Sequence, residues 1–367
     1  MPDRSPTATI GPVFLPGLQL SRAFYSEAVR PLLHGVRHSA ARIGPGSEVL
    51  GFDTPRSADH EWGPRLEVFV APADADRIPE LDRRLSERLP RTFRGWPTHF
   101  EAVEGDHVGR MATTDGPVRH RVAITTVEAW CHDRLGVDPR AGLDATDWLA
   151  LPTQALAEAT AGAVFHDGLG ELTGLRAALA WYPPDVWRYV LACQWERIAQ
   201  EEAFVGRAGE VGDELGSAVV AARLVRDLIR LALLLHRRYP PYGKWLGSAF
   251  AALPLAATLG PVLRGALAAG TWRERERHLA TAYEALATAQ NDTGLAPPVD
   301  PATRPYFARP FRVLKADRFA DALLAAVSDP AVAALPRVGA VDQHADNTDL
   351  LTDPRRTRAV ARAALSR

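Results

Sequence analysis

Between Gly44 and Val70 the chain reads GPGSEVLGFDTPRSADHEWGPRLEVFV, and here the residues best able to do chemistry together lie close in sequence. Gly46 and Ser47 form a turn that lets backbone N–H groups approach a phosphate closely. Downstream stands Asp59-His60-Glu61-Trp62. If Ala58 to Trp62 is extended, Asp59 and Glu61 are two residues apart and share one face of a strand. Carboxylates so placed repel unless a divalent cation lies between them. Hard oxygen ligands suit Mg²⁺, which binds through one or two carboxylates and its substrate's phosphates. A phosphate turn with metal carboxylates is a nucleotide-handling set. The plainer alternative is a turn before a strand carrying two solvated acids.

A second signal is compositional. Of 43 basic residues only Lys244 and Lys315 are lysine, so a lysine kept against that bias hints at a place that wants a compact ammonium. Lys244 stands in YPPYGKW, where Tyr242 and Trp245 offer rings for a base and Lys244 a charge for phosphate. Arg56 is a weaker phosphate candidate.

The Gly-Ser turn followed by Asp-x-Glu resembles the signature of the polymerase-β-like nucleotidyltransferase superfamily, with Ser47, Asp59 and Glu61 at its positions. The chain is also similar to a bacterial nucleotidyltransferase-like family of unknown activity, through GSEVLGFDTPRSADHEWGPRL, AGAVFHDGLGEL, QEEAFVGRAGEVGDELGSAVVAARLVRDL and YPPYGKWLGSAF. The resemblance implies Mg²⁺-dependent transfer of a nucleoside monophosphate, with ATP the first expected donor, to a hydroxyl or amine of a small molecule or protein. Asp59 and Glu61 would hold the metal, Gly46 and Ser47 the terminal phosphates, Lys244 or more weakly Arg56 the pyrophosphate leaving group, and Tyr242 the base. The superfamily commonly carries a third carboxylate on a later strand. In His120–Thr126 the central residue is instead Ala123, with Glu101 and Glu128 nearby but displaced, and Glu202 a further base candidate. That departure leaves two rival readings: an inactive nucleotide-binding regulator, or an interaction protein acting through its helices.

The elements that must position these residues follow from periodicity. Apolar spacing from Gly17 to Ser39 predicts a helix kinked or split at Pro31, and Leu66, Val68 and Val70 alternate as a strand. A helix at Pro79–Leu89 and strands at Arg94–Glu101 and Arg119–Thr126 complete an α+β unit with a small mixed sheet. After Trp130 the pattern becomes helical. The expected division is a flexible arm at 1–16, a nucleotidyltransferase-like domain at 17–138 and an all-helical domain at 139–367. Phe165 to Gly168 reads as a turn, and Arg197 and Glu201 as a pair across one helical turn. Glu202, Glu210, Asp213 and Glu214 read as an acidic cluster, either solvated or facing a cationic acceptor.

Composition bounds the rest. At 367 residues, two domains are the default. A net charge of −1 argues against a general nucleic-acid or membrane-surface binder. There is no long uncharged apolar run, no basic leader with an apolar block, and only two cysteines, Cys131 and Cys193. A reduced cytoplasm is the expected location.

Overall fold

A computed structural model describes residues 12–103 and 108–366, so residues 1–11 of the expected arm lie outside the described residues. The architecture is α+β, a small mixed sheet with many helices. The chain divides into two compact units. The first runs to Arg134 and adds Asp138–Arg140 and Glu158–Leu179; the second holds Leu135–Val137, Ala141–Ala157 and the chain from Ala180 onward.

In the first unit, four strands form the main sheet: β1 (His38–Arg42), β2 (Arg65–Val70), β3 (Arg121–Thr125) and β4 (Ala163–Asp167). Their order is β3-β2-β1-β4. β1 runs antiparallel to both β2 and β4, whereas β2 and β3 are parallel, with Glu67 opposite Ala123. Period-two alternation puts Leu66, Val68, Val70 and Val122 into one core with Leu20, Phe24, Leu81 and Leu85. The last four come from the helices Gly17–Phe24 and Ile78–Arg88.

Two expectations are corrected here. The helix predicted from Gly17 to Ser39 is straight only to Phe24. It then widens to a π turn at Tyr25–Val29 and tightens to a 3₁₀ turn at Arg30–Leu33, where Pro31 withholds a donor. The second correction is the turn read at Phe165–Gly168, most of which is strand β4, paired with β1 far upstream. Every β4 residue is half-buried, so alternation gave no sign of it.

The second unit is built on helices including Pro184–Glu201, Glu214–Leu235, Trp272–Asp292 and Asp317–Ala325. The aromatic stripe of the first belongs to the core. Trp195 stacks on Phe319 at 4.9 Å between centroids, and its Nε1 donates to Gln290 Oε1 at 3.1 Å. Arg197 and Glu201 do not pair with each other: Arg197 bonds Asp227 at 3.2 Å, and Glu201 accepts from Arg223 at 2.6 Å. The acidic cluster dissolves in the same way. Asp213 caps the N-terminus of Glu214–Leu235, accepting from Gly216 N at 2.7 Å. Glu210 pairs with Arg309 and Glu214 with Arg275, each at 2.5 Å. Gly209, which precedes Glu210, leaves room for Trp272, whose ring a Cβ there would overlap. Among the described residues no helix is long and apolar enough to cross a membrane.

Glu202 is the most perturbed carboxylate of this unit. Its oxygens accept from Leu314 N at 2.7 Å and Ala316 N at 3.1 Å, clasping a buried loop. Burial outweighs those donors and pushes its pKa up to about 7. A group raised on folding stabilises fully below its unfolded value of 4.5, and that contribution is lost as pH rises through about 7. Urea unfolding of the intact chain is therefore expected to show a Glu202-dependent fall of ~3 kcal/mol between those limits. Glu202→Gln should remove this component of the pH profile.

Candidate functional site

The first unit's charged centre forms where β1 ends. Arg42 is buried at 2% exposure and donates in four directions. Nε reaches Glu48 Oε1 at 2.8 Å, Nη1 reaches Glu67 Oε1 at 2.8 Å and the Ile43 carbonyl at 2.7 Å, and Nη2 reaches the Pro45 carbonyl. Arg65, which opens β2, donates its Nε to the same Glu48 oxygen at 2.8 Å. Ile43 N donates to the second Glu67 oxygen at 3.1 Å. Burial alone would raise Glu48, but Arg42 and Arg65 hold its carboxyl below the usual range. For Glu67 burial wins over Arg42, and the carboxyl lies above it.

The Gly46–Ser47 turn is folded over this cluster. A Cβ on Gly46 would lie 2.5 Å from Arg42 Nη2 and 2.6 Å from both Arg65 Nη2 and Glu48 Oε2. Glycine is required there by the protein's own guanidinium groups. Ser47 is half-buried, and its carbonyl accepts from Phe52 N at 2.8 Å. Its N–H and hydroxyl make no hydrogen bond among the described residues.

The two acids of the motif are not on a strand, which corrects the expected common face. Thr54 and Pro55 start a 3₁₀ turn, Pro55–Asp59, with Thr54 and Ser57 forming a capping box. Asp59 ends this turn, its side chain 55% exposed and bonded by His60 Nδ1 at 2.8 Å. Glu61 then adopts a left-handed backbone, φ 46°, and the strand begins only at Arg65. Glu61 Oε1 accepts from Gly109 N and from Arg121 Nη2, both at 2.5 Å, and Oε2 lies 3.4 Å from Arg65 Nη1. Its lone pairs already face cations and an N–H. The strand residues that do stand two apart are Arg65 and Glu67, one of each charge.

The glutamates of this stretch are occupied by the protein's own donors, while Asp59 is open to solvent. Glu48, Glu61 and Glu67 are each engaged by arginine, and no group of three or more possible metal-ligating side chains occurs among the described residues. The strand named for a third acid does run beside β2, and it sets Ala123 directly opposite Glu67.

The other candidates scatter. Arg56 is exposed in the 55–59 turn, near the motif in sequence. Tyr242 and Lys244 are in the second unit. Tyr242 precedes the helix Gly243–Ala251 and donates its N–H to Gln154 Oε1 at 2.9 Å, while exposed Lys244 holds Nζ 4.9 Å from the Trp245 ring centroid. Glu101 is 3.7 Å from His99 and 3.8 Å from Arg119, Glu128 is exposed, and Glu202 clasps its loop. Asp167 accepts from Ser39 Oγ and Thr173 Oγ1, each at 2.8 Å.

Sequence reading missed Arg42, Glu48, Arg65 and Glu67 as the set that organises the turn. The available signal was Arg42 closing an otherwise apolar segment, Ala40-Ala41-Arg42-Ile43.

With the geometry in place, comparison with known proteins adds little chemistry. A family model described as a domain of unknown function (DUF4037) matches residues 148–246, which excludes the Gly46–Glu67 stretch. No curated protein matches the chain. Among solved structures, a nucleotidyltransferase-like protein from Exiguobacterium sibiricum 255-15 is similar over 76% of this chain and 77% of its own, at 12% identity and a TM-score of 0.32. At that distance the similarity carries no argument about the site.

Removing Arg42 takes the ion-pair partner from Glu67 and one of two from buried Glu48, so Arg42→Met is expected to cost about 3–5 kcal/mol in urea unfolding. Asp59→Asn, at an exposed position, should stay within about 0.5 kcal/mol. Equal effects of the two would overturn this account of the cluster.

Proposed function

We propose that the first unit is a nucleotidyltransferase-like domain that binds the phosphates of a nucleotide at the Gly46–Ser47 turn without a two-carboxylate metal site. The observation that carries this reading is the engagement of Glu61: Arg121 and Gly109 N hold the acid that Asp-x-Glu would offer to a metal. Binding by this route uses the chain's own donors. The Ser47 N–H and hydroxyl can take phosphate oxygens, and exposed Arg56 lies in the same stretch as a source of positive charge. The protein is then a nucleotide-responsive binder, in keeping with Ala123 where a third acid would stand.

One observation favours the catalytic alternative, transfer to a hydroxyl or amine with Mg²⁺. Asp59 is 55% exposed, with His60 its contact, so it is accessible to a cation. The two readings separate in one experiment on the intact chain. Thermal stability is measured with each nucleoside triphosphate, with and without Mg²⁺, beside an assay for released pyrophosphate. Ligand at a hundredfold its dissociation constant should add roughly 2.7 kcal/mol. The binding reading expects a shift that needs no Mg²⁺, vanishes in Ser47→Asp, survives Asp59→Asn and comes with no pyrophosphate. Mg²⁺-dependent pyrophosphate release lost in Asp59→Asn would establish the catalytic reading instead. No shift under any condition would defeat both and turn attention to the helical unit.

A further inference from the structure

Within the first unit a cavity of about 600 Å³ opens beside the start of β1, and its polar lining is almost entirely basic. Arg30, His34, Arg37, His38 and His166 face it, together with Gly168, and among the described residues no carboxylate does. The nearby acids are engaged elsewhere: Glu27 accepts from Arg94 at 2.6 Å, and Asp167 serves Ser39 and Thr173. Among the described residues Arg30 has no ion pair, and Arg37 spends only its Nε, on the Gly168 carbonyl at 3.0 Å. Two guanidinium groups on one wall repel each other in an empty pocket and are favoured when an anion enters between them.

The wall is shaped as well as charged. His38 is buried, and its Nδ1 faces the Val36 carbonyl at 2.8 Å, so that nitrogen carries the proton and Nε2 accepts from the Tyr25 hydroxyl at 3.0 Å. Its ring lies 5.2 Å from that of His166, which stacks on Tyr25. Burial holds the His38 pKa below its ordinary value, outweighing the Val36 carbonyl, which favours the protonated ring, and the Arg30 guanidinium adds to the lowering. Gly168 keeps the wall open, because a Cβ there would lie 2.5 Å from the His38 carbonyl oxygen and 2.6 Å from His166 Nε2.

We propose that this cavity is a binding site for a small molecule carrying a phosphate group. Two guanidinium forks and the His34 and His166 rings supply more donors than the two oxygens of a carboxylate can use, whereas a phosphate monoester presents three terminal oxygens. The volume falls in the range of about 300–1,000 Å³ typical of small-molecule sites and leaves space for the esterified body. The site is separate from the Gly46–Ser47 turn. The cavity adjoins His38 at one end of β1 and the turn follows Arg42 at the other, roughly 13 Å along the strand.

The test is a titration of the intact protein, labelled in its histidine rings, with inorganic phosphate at constant ionic strength, followed by NMR. Acetate is titrated in parallel. Saturable shifts at His38 and His166 are expected with phosphate, with affinity at least tenfold weaker in Arg30→Gln/Arg37→Gln. Arg30→Lys/Arg37→Lys should recover part of the loss, and Ser47→Asp should leave the affinity unchanged. Both arginines are exposed, so an unaltered melting temperature in these variants separates lost binding from lost folding. No saturable shift at either ring, an affinity indifferent to the arginine changes, or an equal response to acetate would overturn the assignment. Loss of these shifts in Ser47→Asp would show that phosphate acts at the other turn, which overturns it equally.

Discussion

The burial of Arg42 is the constraint on which the first unit's centre depends. A guanidinium out of water needs its five N–H groups satisfied and its charge matched. The chain satisfies four of the five from three places at once: Glu48 in the turn, Glu67 on the neighbouring strand, and the carbonyls of Ile43 and Pro45. One side chain thereby ties the path of the turn to the register of β1 with β2. It also explains Gly46, since the guanidinium groups of Arg42 and Arg65 occupy the volume a side chain would fill. A buried ion network of this kind contributes little net stability over an apolar core, but it penalises any arrangement that separates its members.

The same accounting decides what the surrounding acids can do. A carboxylate serves a metal only with lone pairs free to point at it, and arginine competes for the same lone pairs. Arg42, Arg65 and Arg121 between them engage Glu48, Glu67 and Glu61. Asp59 stays outside this neutralised set, in water, with a neighbouring histidine. In the second unit, acids that look clustered in sequence likewise turn out to be a helix cap, two ion pairs and a clasp on buried N–H groups. Their proximity in the chain reflects the density of a helix junction that needs many caps in few residues. The cavity beside His38 is the opposite case: two arginines and three histidines gathered with no carboxylate facing them among the described residues.

Much of the architecture was legible because it rests on local rules. Alternation in Leu66–Val70, the apolar repeat of Ile78–Arg88 and the shift to helical patterns after Trp130 each express a period that burial enforces. The strand at His120–Thr126 was legible for the same reason, down to its central alanine. The candidate site was legible only in part. Gly-Ser was correctly read as a turn, but Asp59 and Glu61 were read as extended, because a Thr-Pro start and a left-handed Glu61 leave little trace in residue spacing.

By itself, then, the sequence determined the residue inventory, the α+β class, the turn at Gly46–Ser47 and the apolar faces that make the sheet, since each depends on side-chain type and spacing within a few residues. Only the tertiary structure decided which charges meet. Arg121 reaches Glu61 across 60 positions, β4 reaches β1 across more than a hundred, and His166 joins Arg30 and Arg37 at one cavity. Electrostatic pairing acts through space over a few ångströms, whereas sequence records order along a chain. An acid's capacity to bind metal, or an arginine's to bind phosphate, is fixed by the neighbour that arrives first.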